Sequence, residues 1–124
     1  MMDFNHYLGI EVRERHEDGM TIRVALRAEL LNIAGVVHGG VTATMADAAA
    51  GMGLISLLGG KQPVTTTEMK INYLLPVTGA YLEARAKFVR RGKTLAVAQV
   101  DLTDDKGRLV AIALVTYMML PKGE

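Results

Sequence analysis

A single carboxylate stands out in the middle of this chain. From Leu30 to Gly60, Asp47 is the only formally charged side chain, and its neighbours are mainly Ala, Gly and Met. Removing a carboxylate from water without a partner is costly, so we expect such a residue to be used. The chemistry open to it is general-base activation of water or direct nucleophilic attack.

The tripeptide His38-Gly39-Gly40 precedes this acid in the same apolar run. We expect Gly39 at a helix N-terminus, where amides lack an intrahelical acceptor and the helix dipole favours an oxygen that gains negative charge. A residue without Cβ also lets a carbonyl group approach the backbone closely, and Gly40 helps the chain turn into the helix. The pattern therefore predicts an oxyanion hole at Gly39.

The stretch after the tripeptide predicts one long helix. Residues 41–58 are rich in Ala, Leu and Met, and Gly59-Gly60 is a stop signal. A helix that is apolar on all sides is either a membrane span or the buried axis of a domain. The central Asp, the glycines and the absence of a basic flank favour the buried axis. Residues 1–6 are polar and lack a signal-peptide core, so we expect a cytoplasmic protein with no membrane contact.

The remaining segments alternate apolar and polar residues with a period of two, which predicts strands. Residues 8–16 and 21–28 form a hairpin across Glu17-Asp18-Gly19, and further strands cover residues 64–75, 82–88, 95–103 and 109–120. In the strand after the helix, the pattern separates a packing face from a polar face that includes Thr66. The packing face carries Thr65, Thr67, Met69, Ile71, Tyr73 and Leu75, and the polar face carries Thr66, Glu68, Lys70 and Asn72.

These elements predict an α+β domain spanning residues 1–124, in the order hairpin, central helix and four-strand meander. A sheet that curls around an apolar helix leaves one side of that helix uncovered, which requires a second copy of the protein. The nearly balanced charge gives no reason to expect nucleic acid as a partner. The absence of cysteine excludes disulfides and thiolate metal sites, and we expect neither a metal nor another cofactor.

Helix geometry separates the two chemical groups. Eight residues of helix put Asp47 about 12 Å along the axis from Gly39 and roughly 80° around it. Both groups of one protomer therefore do not reach the same carbonyl carbon. We expect Gly39 and Asn32 of one protomer to face Asp47 of its twofold mate, so that the monomer is inactive.

Three segments together resemble the hotdog-fold acyl-CoA thioesterases of the phenylacetic-acid-degradation type. They are the spacing Asn32, His38-Gly39-Gly40, Asp47, the strand at residues 65–76, and the turn at residues 90–95. The resemblance covers nearly the whole chain. It implies a curved antiparallel sheet around the helix, a double-hotdog dimer with two shared sites, often paired into a homotetramer, and hydrolysis of an acyl-CoA to a carboxylic acid and free CoA.

The resemblance also implies roles for individual residues. Gly39 offers its amide to the thioester carbonyl with Asn32 beside it, His38 supports that side of the pocket, Asp47 is the catalytic carboxylate, and Thr66 helps to hold water. Coenzyme A, as part of the substrate, then lies along the 73–78 strand end and the basic turn, whose cations suit its phosphates. The substrate contacts are Gly40, Tyr73, Leu74, Leu75, Pro76, Arg90, Arg91, Gly92, Lys93 and Thr94.

Each of these residues also has a structural interpretation. His38 is typical of a helix cap, and the basic turn could be an ordinary solvated hairpin. Asp47 could be a structural carboxylate satisfied by Thr42, by Thr44 or by the backbone of a neighbour. The small residues Ala43, Ala46 and Ala50 suggest room for an acyl group without defining it.

Two other functional classes compete with hydrolysis. A hydratase or dehydratase of the same fold usually carries a Pro-rich segment before the helix, and here no proline precedes Pro63. A non-catalytic acyl-CoA sensor normally carries a DNA-binding part, for which no residues remain.

Overall fold

The computed structural model describes residues 2–122 and contains one long helix packed on one sheet. A short helix, α1, precedes the first hairpin, and a single 3-10 turn at Ala28–Leu30 leads towards the long helix α2. The helices are α1 Phe4–Leu8 and α2 Gly39–Leu57; the strands are β1 Ile10–His16, β2 Gly19–Ala25, β3 Val64–Tyr73, β4 Tyr81–Arg91, β5 Leu95–Asp104 and β6 Leu109–Met119.

The first residues differ from the prediction. Asp3 caps a short helix by accepting a hydrogen bond from the His6 N–H at 2.9 Å, and Gly9 ends that helix in the left-handed region with φ = 85°. Leu8 is therefore a buried helical residue and not the start of strand β1. The Asp cap and the Gly stop are both helix signals, but helix α1 is too short for a periodic apolar pattern to reveal it.

All strand pairs are antiparallel, and the sheet order is β1-β2-β4-β5-β6-β3. The predicted four-strand meander is wrong in one respect, because only β4, β5 and β6 follow one another as hairpins. Strand β3 lies beyond β6 at the far edge. Segment 74–80 crosses back to β4, tied by hydrogen bonds from Val37 N–H to the Val77 carbonyl and from Leu26 N–H to the Ala80 carbonyl.

A β-bulge in β3 changes which side chains face the helix. The register with β6 shifts between Thr66 and Glu68, so Thr67 is the extra residue. As a result Thr66 points towards the helix, on the same face as Met69 and Ile71, which pack against the core. The prediction that placed Thr66 on the opposite, polar face is wrong because strict alternation fails at a bulge.

The core lies between α2 and the concave face of the sheet. Small inward residues such as Ala84, Ala98 and Ala113 let the helix approach the strands closely, and Met45 and Leu54 fill the remaining space. By length and composition α2 is the one helix among residues 2–122 that could span a bilayer. Here it packs against strands β2 to β6 and is the core helix of the domain.

Candidate active site

Asp47 lies on the side of α2 that faces the first part of β3 and the last part of β6. Its Oδ1 accepts two hydrogen bonds, from Thr66 Oγ1 at 2.8 Å and from the Tyr117 hydroxyl at 2.6 Å. Neither Thr42 nor Thr44 satisfies it, since the Thr44 hydroxyl donates to the Gly40 carbonyl. The two donors come from different strands, so the sheet fixes the orientation of the acid.

The second oxygen of Asp47 remains open. Within residues 2–122, no group donates to Oδ2, yet no side-chain oxygen there is both buried and unpaired, so Oδ2 is in contact with solvent. Asp47 also lines an open cavity of about 390 Å³, and Oδ2 is its oxygen without a donor from this part of the chain. The cavity is lined by Phe4, Asn5, Thr44, Asp47, Ala48, Gly51, Met52, Ile55, Val64, Thr65, Thr66 and Tyr117.

The sequence interpretation missed Tyr117. Its ring is buried on the inward face of β6, and its hydroxyl bonds both the carboxylate and the main-chain carbonyl of Asp47. Burial, and then the hydrogen bond to Asp47, raise the pKa of Tyr117, so its hydroxyl remains a protonated donor. A buried tyrosine needs a hydrogen-bond partner, and an inward Tyr in an otherwise aliphatic strand was the signal that could have revealed it.

His38 and Gly39 lie next to each other at the start of α2. His38 is the N-cap, and its Nδ1 accepts a hydrogen bond from the Gly40 N–H at 2.9 Å. The Gly40 amide is therefore occupied, whereas the Gly39 N–H has no acceptor in the described part of the chain. Of the two glycine amides, the one at Gly39 remains available to a ligand.

The end of β3 lies against this amide. The Tyr73 hydroxyl donates to the Gly39 carbonyl at 3.0 Å, and a second open cavity, of about 330 Å³, has its walls there. The structure thus brings Gly39 together with four predicted substrate contacts. The lining residues are Val36, Val37, Gly39, Thr42, Tyr73, Leu74, Leu75, Pro76 and Val77.

Asn32 is exposed in the loop before the helix. Its Oδ1 accepts hydrogen bonds from the N–H groups of Ala34 and Val36, at 2.9 Å and 3.3 Å, and so shapes the loop. Asn32 does not line the cavity beside Gly39. Its predicted contact with a carbonyl group stays a prediction.

The basic turn (residues 90–94) connects β4 and β5 and is exposed. Arg90, Arg91 and Lys93 form no ion pair with any residue in the 2–122 range. The Thr94 carbonyl accepts a hydrogen bond from Met119 N–H, and Met119 pairs with Val64, so the turn lies at the Asp47 end of the sheet.

Within one protomer the predicted site residues form two separate groups. Asp47 and Thr66 line one cavity, whereas Gly39 and the 73–76 segment line the other, at the opposite end of β3. Of the three alanines that suggested room for an acyl group, Ala46 and Ala50 are fully buried in the core, and the half-buried Ala43 lines neither cavity. No cluster of His, Asp or Glu suited to a metal ion occurs among residues 2–122.

Comparisons with known proteins agree with this architecture. Residues 34–111 match the model of the Thioesterase superfamily. The chain is 29% identical to the medium/long-chain acyl-CoA thioesterase YigI of Escherichia coli over 135 residues, covering 95% of this chain and 86% of that protein. Two solved structures are similar. BH2602 of Bacillus halodurans, solved with CoA, has a TM-score of 0.89 at 30% identity and 99% and 82% coverage. Thioesterase HI1161 of Haemophilus influenzae has a TM-score of 0.90 at 24% identity and 97% and 84% coverage.

The helix wrapped by a six-strand antiparallel sheet is the hotdog fold, as predicted. The chain belongs to the Thioesterase superfamily, since the family model covers more than half of it. Its enzyme class is accordingly thioester hydrolase.

Proposed function

We propose that this protein hydrolyses an acyl-CoA thioester to a carboxylic acid and free CoA, with Asp47 as the catalytic carboxylate. The observation that carries the proposal is the difference between the two oxygens of this acid. Two hydroxyl groups hold Oδ1, whereas Oδ2 is free, and Asp47 lines an open cavity. The spacing of Asn32, His38-Gly39-Gly40 and Asp47 supports the phenylacetic-acid-degradation type within the superfamily.

The reaction needs a base or nucleophile on one side of the thioester and an oxyanion donor on the other. Oδ2 of Asp47 takes a proton from water as the water oxygen attacks the carbonyl carbon, or attacks that carbon itself. The Gly39 amide stabilises the negative charge on the carbonyl oxygen. The carbon–sulfur bond then breaks, and CoA leaves as a thiolate that takes up a proton. On the nucleophilic route the acyl group remains on Asp47 as an anhydride, which water then hydrolyses to release the carboxylic acid and restore the carboxylate.

A twofold dimer supplies both sides of this site. Strand β3 is an edge strand, and its outer edge has no partner among the described strands. Pairing of two β3 edges about a twofold axis is antiparallel, so the Tyr73 end of one strand approaches the Val64 end of the other. This arrangement brings Gly39 of one protomer towards Asp47 of its mate. Pairing of dimers into a tetramer is part of the same proposal.

The same pairing gives coenzyme A a continuous path. It joins the 73–76 segment of one protomer to the basic turn of the other, where three exposed cations have no ion-pair partner among residues 2–122. Charge-assisted hydrogen bonds from Arg and Lys suit phosphate groups. BH2602, which was solved with CoA, shares 30% identity with this chain.

Measurement of thiol release from a panel of CoA esters tests the assignment. We expect Asp47→Asn to lower kcat by about 10²–10⁴-fold, the usual contribution of a general base. Asp101→Asn is the matched control, because Asp101 lies on the outer face of β5 beside Gln99. An Asp47→Asn protein that folds and keeps the wild-type rate would contradict the role of Asp47. Water addition to an enoyl ester without thiol release would indicate a hydratase.

A further inference from the structure

Gly51 occupies the helical position one turn after Asp47, directly under the ring of Tyr117. A Cβ added at Gly51 would overlap the Tyr117 hydroxyl and lie 2.9 Å from Cζ of the same ring. Glycine inside a helix costs about 1 kcal/mol relative to alanine, so its presence needs a local reason. The close approach of Tyr117 provides that reason.

Because Gly51 has no side chain, the Tyr117 hydroxyl reaches helix α2 and contacts Asp47 twice. It lies 2.6 Å from Oδ1 of Asp47 and 3.0 Å from the main-chain oxygen of the same residue. Because both contacts are to one residue, the hydroxyl fixes the acid relative to its own helix. Thr66 provides a second donor to Oδ1 from the other strand.

These contacts fix the plane of the carboxylate. With both hydroxyls on one oxygen, tilting that plane would break two charge-assisted hydrogen bonds at once. One oxygen therefore stays held by the sheet while the other stays free for the proposed chemistry at the cavity that Asp47 lines. A shift of about 1 Å in a reacting group is enough to cost about 10²-fold in rate.

We infer that Tyr117 is a positioning residue for the reaction proposed above, holding Asp47 with Oδ2 towards the substrate, and that Gly51 is required because no larger residue leaves room for the Tyr117 hydroxyl. Tyr117 acts through Asp47 and does not itself exchange a proton with substrate. The inference depends on the proposed function only in its kinetic part.

A double-mutant cycle tests the kinetic part. We expect Tyr117→Phe to lower kcat by about 10- to 100-fold, the effect of losing a hydrogen bond to a charged group, while KM changes less than about threefold. Gly51→Ala alone lowers kcat by a similar factor. In the Tyr117→Phe background, Gly51→Ala has little further effect, because the hydroxyl that it displaces is already gone and the phenyl ring is free to shift.

Gly53→Ala is the matched control in the same helix. A Cβ at Gly53 would lie 3.4 Å from Met20 Cβ, an ordinary contact, so we expect unchanged kcat and an equal or higher melting temperature. Wild-type kcat in Tyr117→Phe would overturn the inference. Additive effects of Gly51→Ala and Tyr117→Phe would overturn the role of Gly51. Full activity of Asp47→Asn in the same assay would instead overturn the proposed function.

Crystal structures test the contact without any substrate. We expect the Tyr117 hydroxyl to donate to Oδ1 of Asp47 in wild type and to move beyond hydrogen-bond distance in Gly51→Ala, because the added Cβ overlaps its position. An unchanged Tyr117–Asp47 hydrogen bond in Gly51→Ala would show that the hydroxyl does not need glycine at this position, and would overturn the inference.

Discussion

The two oxygens of Asp47 have different surroundings, because Thr66 and Tyr117 both donate to Oδ1, while Oδ2 has no donor among residues 2–122. In water a carboxylate would turn freely. Donors on two separate strands fix the plane of the carboxylate, so that one oxygen is held and the other is left open. The cost of keeping a partly buried acid is offset by these hydrogen bonds.

Substitution of the threonines tests the contribution of the second donor. We expect Thr66→Val to lower kcat by about tenfold, since the branched shape is kept and one hydrogen bond to the carboxylate is lost. Thr67→Val is the control, because the Thr67 hydroxyl donates to the Thr116 carbonyl and does not reach the acid. Steady-state thiol release measures both variants. Equal losses in the two would mean that the effect is a general one on strand β3.

Local patterns find the isolated acid, and the family resemblance adds Thr66, but neither reveals Tyr117. Asp47 is conspicuous because it is the only charge in a long apolar run, and local chemistry is enough to single it out. Tyr117 is 70 positions further along the chain, and only the folded sheet brings its hydroxyl to the acid. Contacts between distant strands depend on register, which a period-two pattern does not define.

At the scale of elements, neighbouring residues at the start of α2 have different roles. His38 caps the Gly40 amide, which leaves the Gly39 amide as the donor open to a ligand. The structural interpretation of His38 therefore has direct support. A cap that uses Nδ1 as an acceptor does not require the histidine to carry a proton to substrate.

Two variants of His38 separate capping from proton transfer. We expect His38→Ala to lower the free energy of unfolding by about 1 kcal/mol, and His38→Asn to keep most of that stability, because Asn is a strong N-cap. Activity of the Asn variant should stay within about threefold of wild type. Chemical unfolding and thiol release measure the two effects. Loss of activity in a stable His38→Asn protein would instead indicate a catalytic role for the ring.

The turn between β5 and β6 depends on a buried acid. Burial alone would raise the pKa of Asp104, but hydrogen bonds from the Arg108 N–H and guanidinium and from the Lys106 N–H outweigh it and hold the pKa below its usual range. A lowered pKa stabilises the fold above the unfolded pKa, and this contribution is lost as the pH falls through the folded value.

Urea unfolding at several pH values tests this turn. We expect wild type to be more stable than Asp104→Asn at pH 7, and the difference to shrink below about pH 4. Asp105→Asn is a useful comparison, because the half-buried Asp105 carboxylate accepts a hydrogen bond from the Ala80 N–H but, unlike Asp104, is not fully buried. A difference between wild type and Asp104→Asn that is constant down to acid pH would contradict the electrostatic explanation.

The prediction of elements succeeded where a pattern is long and failed where it is short or interrupted. Composition and the two terminal glycines define helix α2 to within two residues. Helix α1 has five residues and is recognisable only by its caps. The position of β3 beside β6 also escaped prediction, since alternation identifies strands but not their neighbours.

At the scale of the whole molecule, the proposed mechanism makes each protomer supply one half of each of two sites. Its acid and its open helix amide line different cavities, and its edge strand β3 runs between them. A twofold axis at this edge would complete both sites at once. The function and the assembly are therefore a single hypothesis.

Mixed dimers test that hypothesis. Gly39→Ala fits the protomer, since its Cβ would lie 3.5 Å from the Tyr73 ring, but it fills space that a carbonyl needs. We expect Gly39→Ala and Asp47→Asn to be inactive separately and to regain activity after co-refolding, because each heterodimer has one intact site. With random mixing, about a quarter of all sites recover. Co-refolding with wild-type-like dimerisation but no recovered activity would show that the sites are not shared.

Thr65, Thr66 and Thr67 are the same residue three times, yet the bulge gives them different surroundings. A sequence alignment matches three threonines almost equally well when it is shifted by one residue. Homology alone therefore does not show which of the three hydroxyl groups lies beside the acid. Deletion of one threonine would leave the composition of the strand almost unchanged while removing its irregularity. The bulge in the backbone, and not the residue type, therefore determines which of the three threonines donates to Asp47.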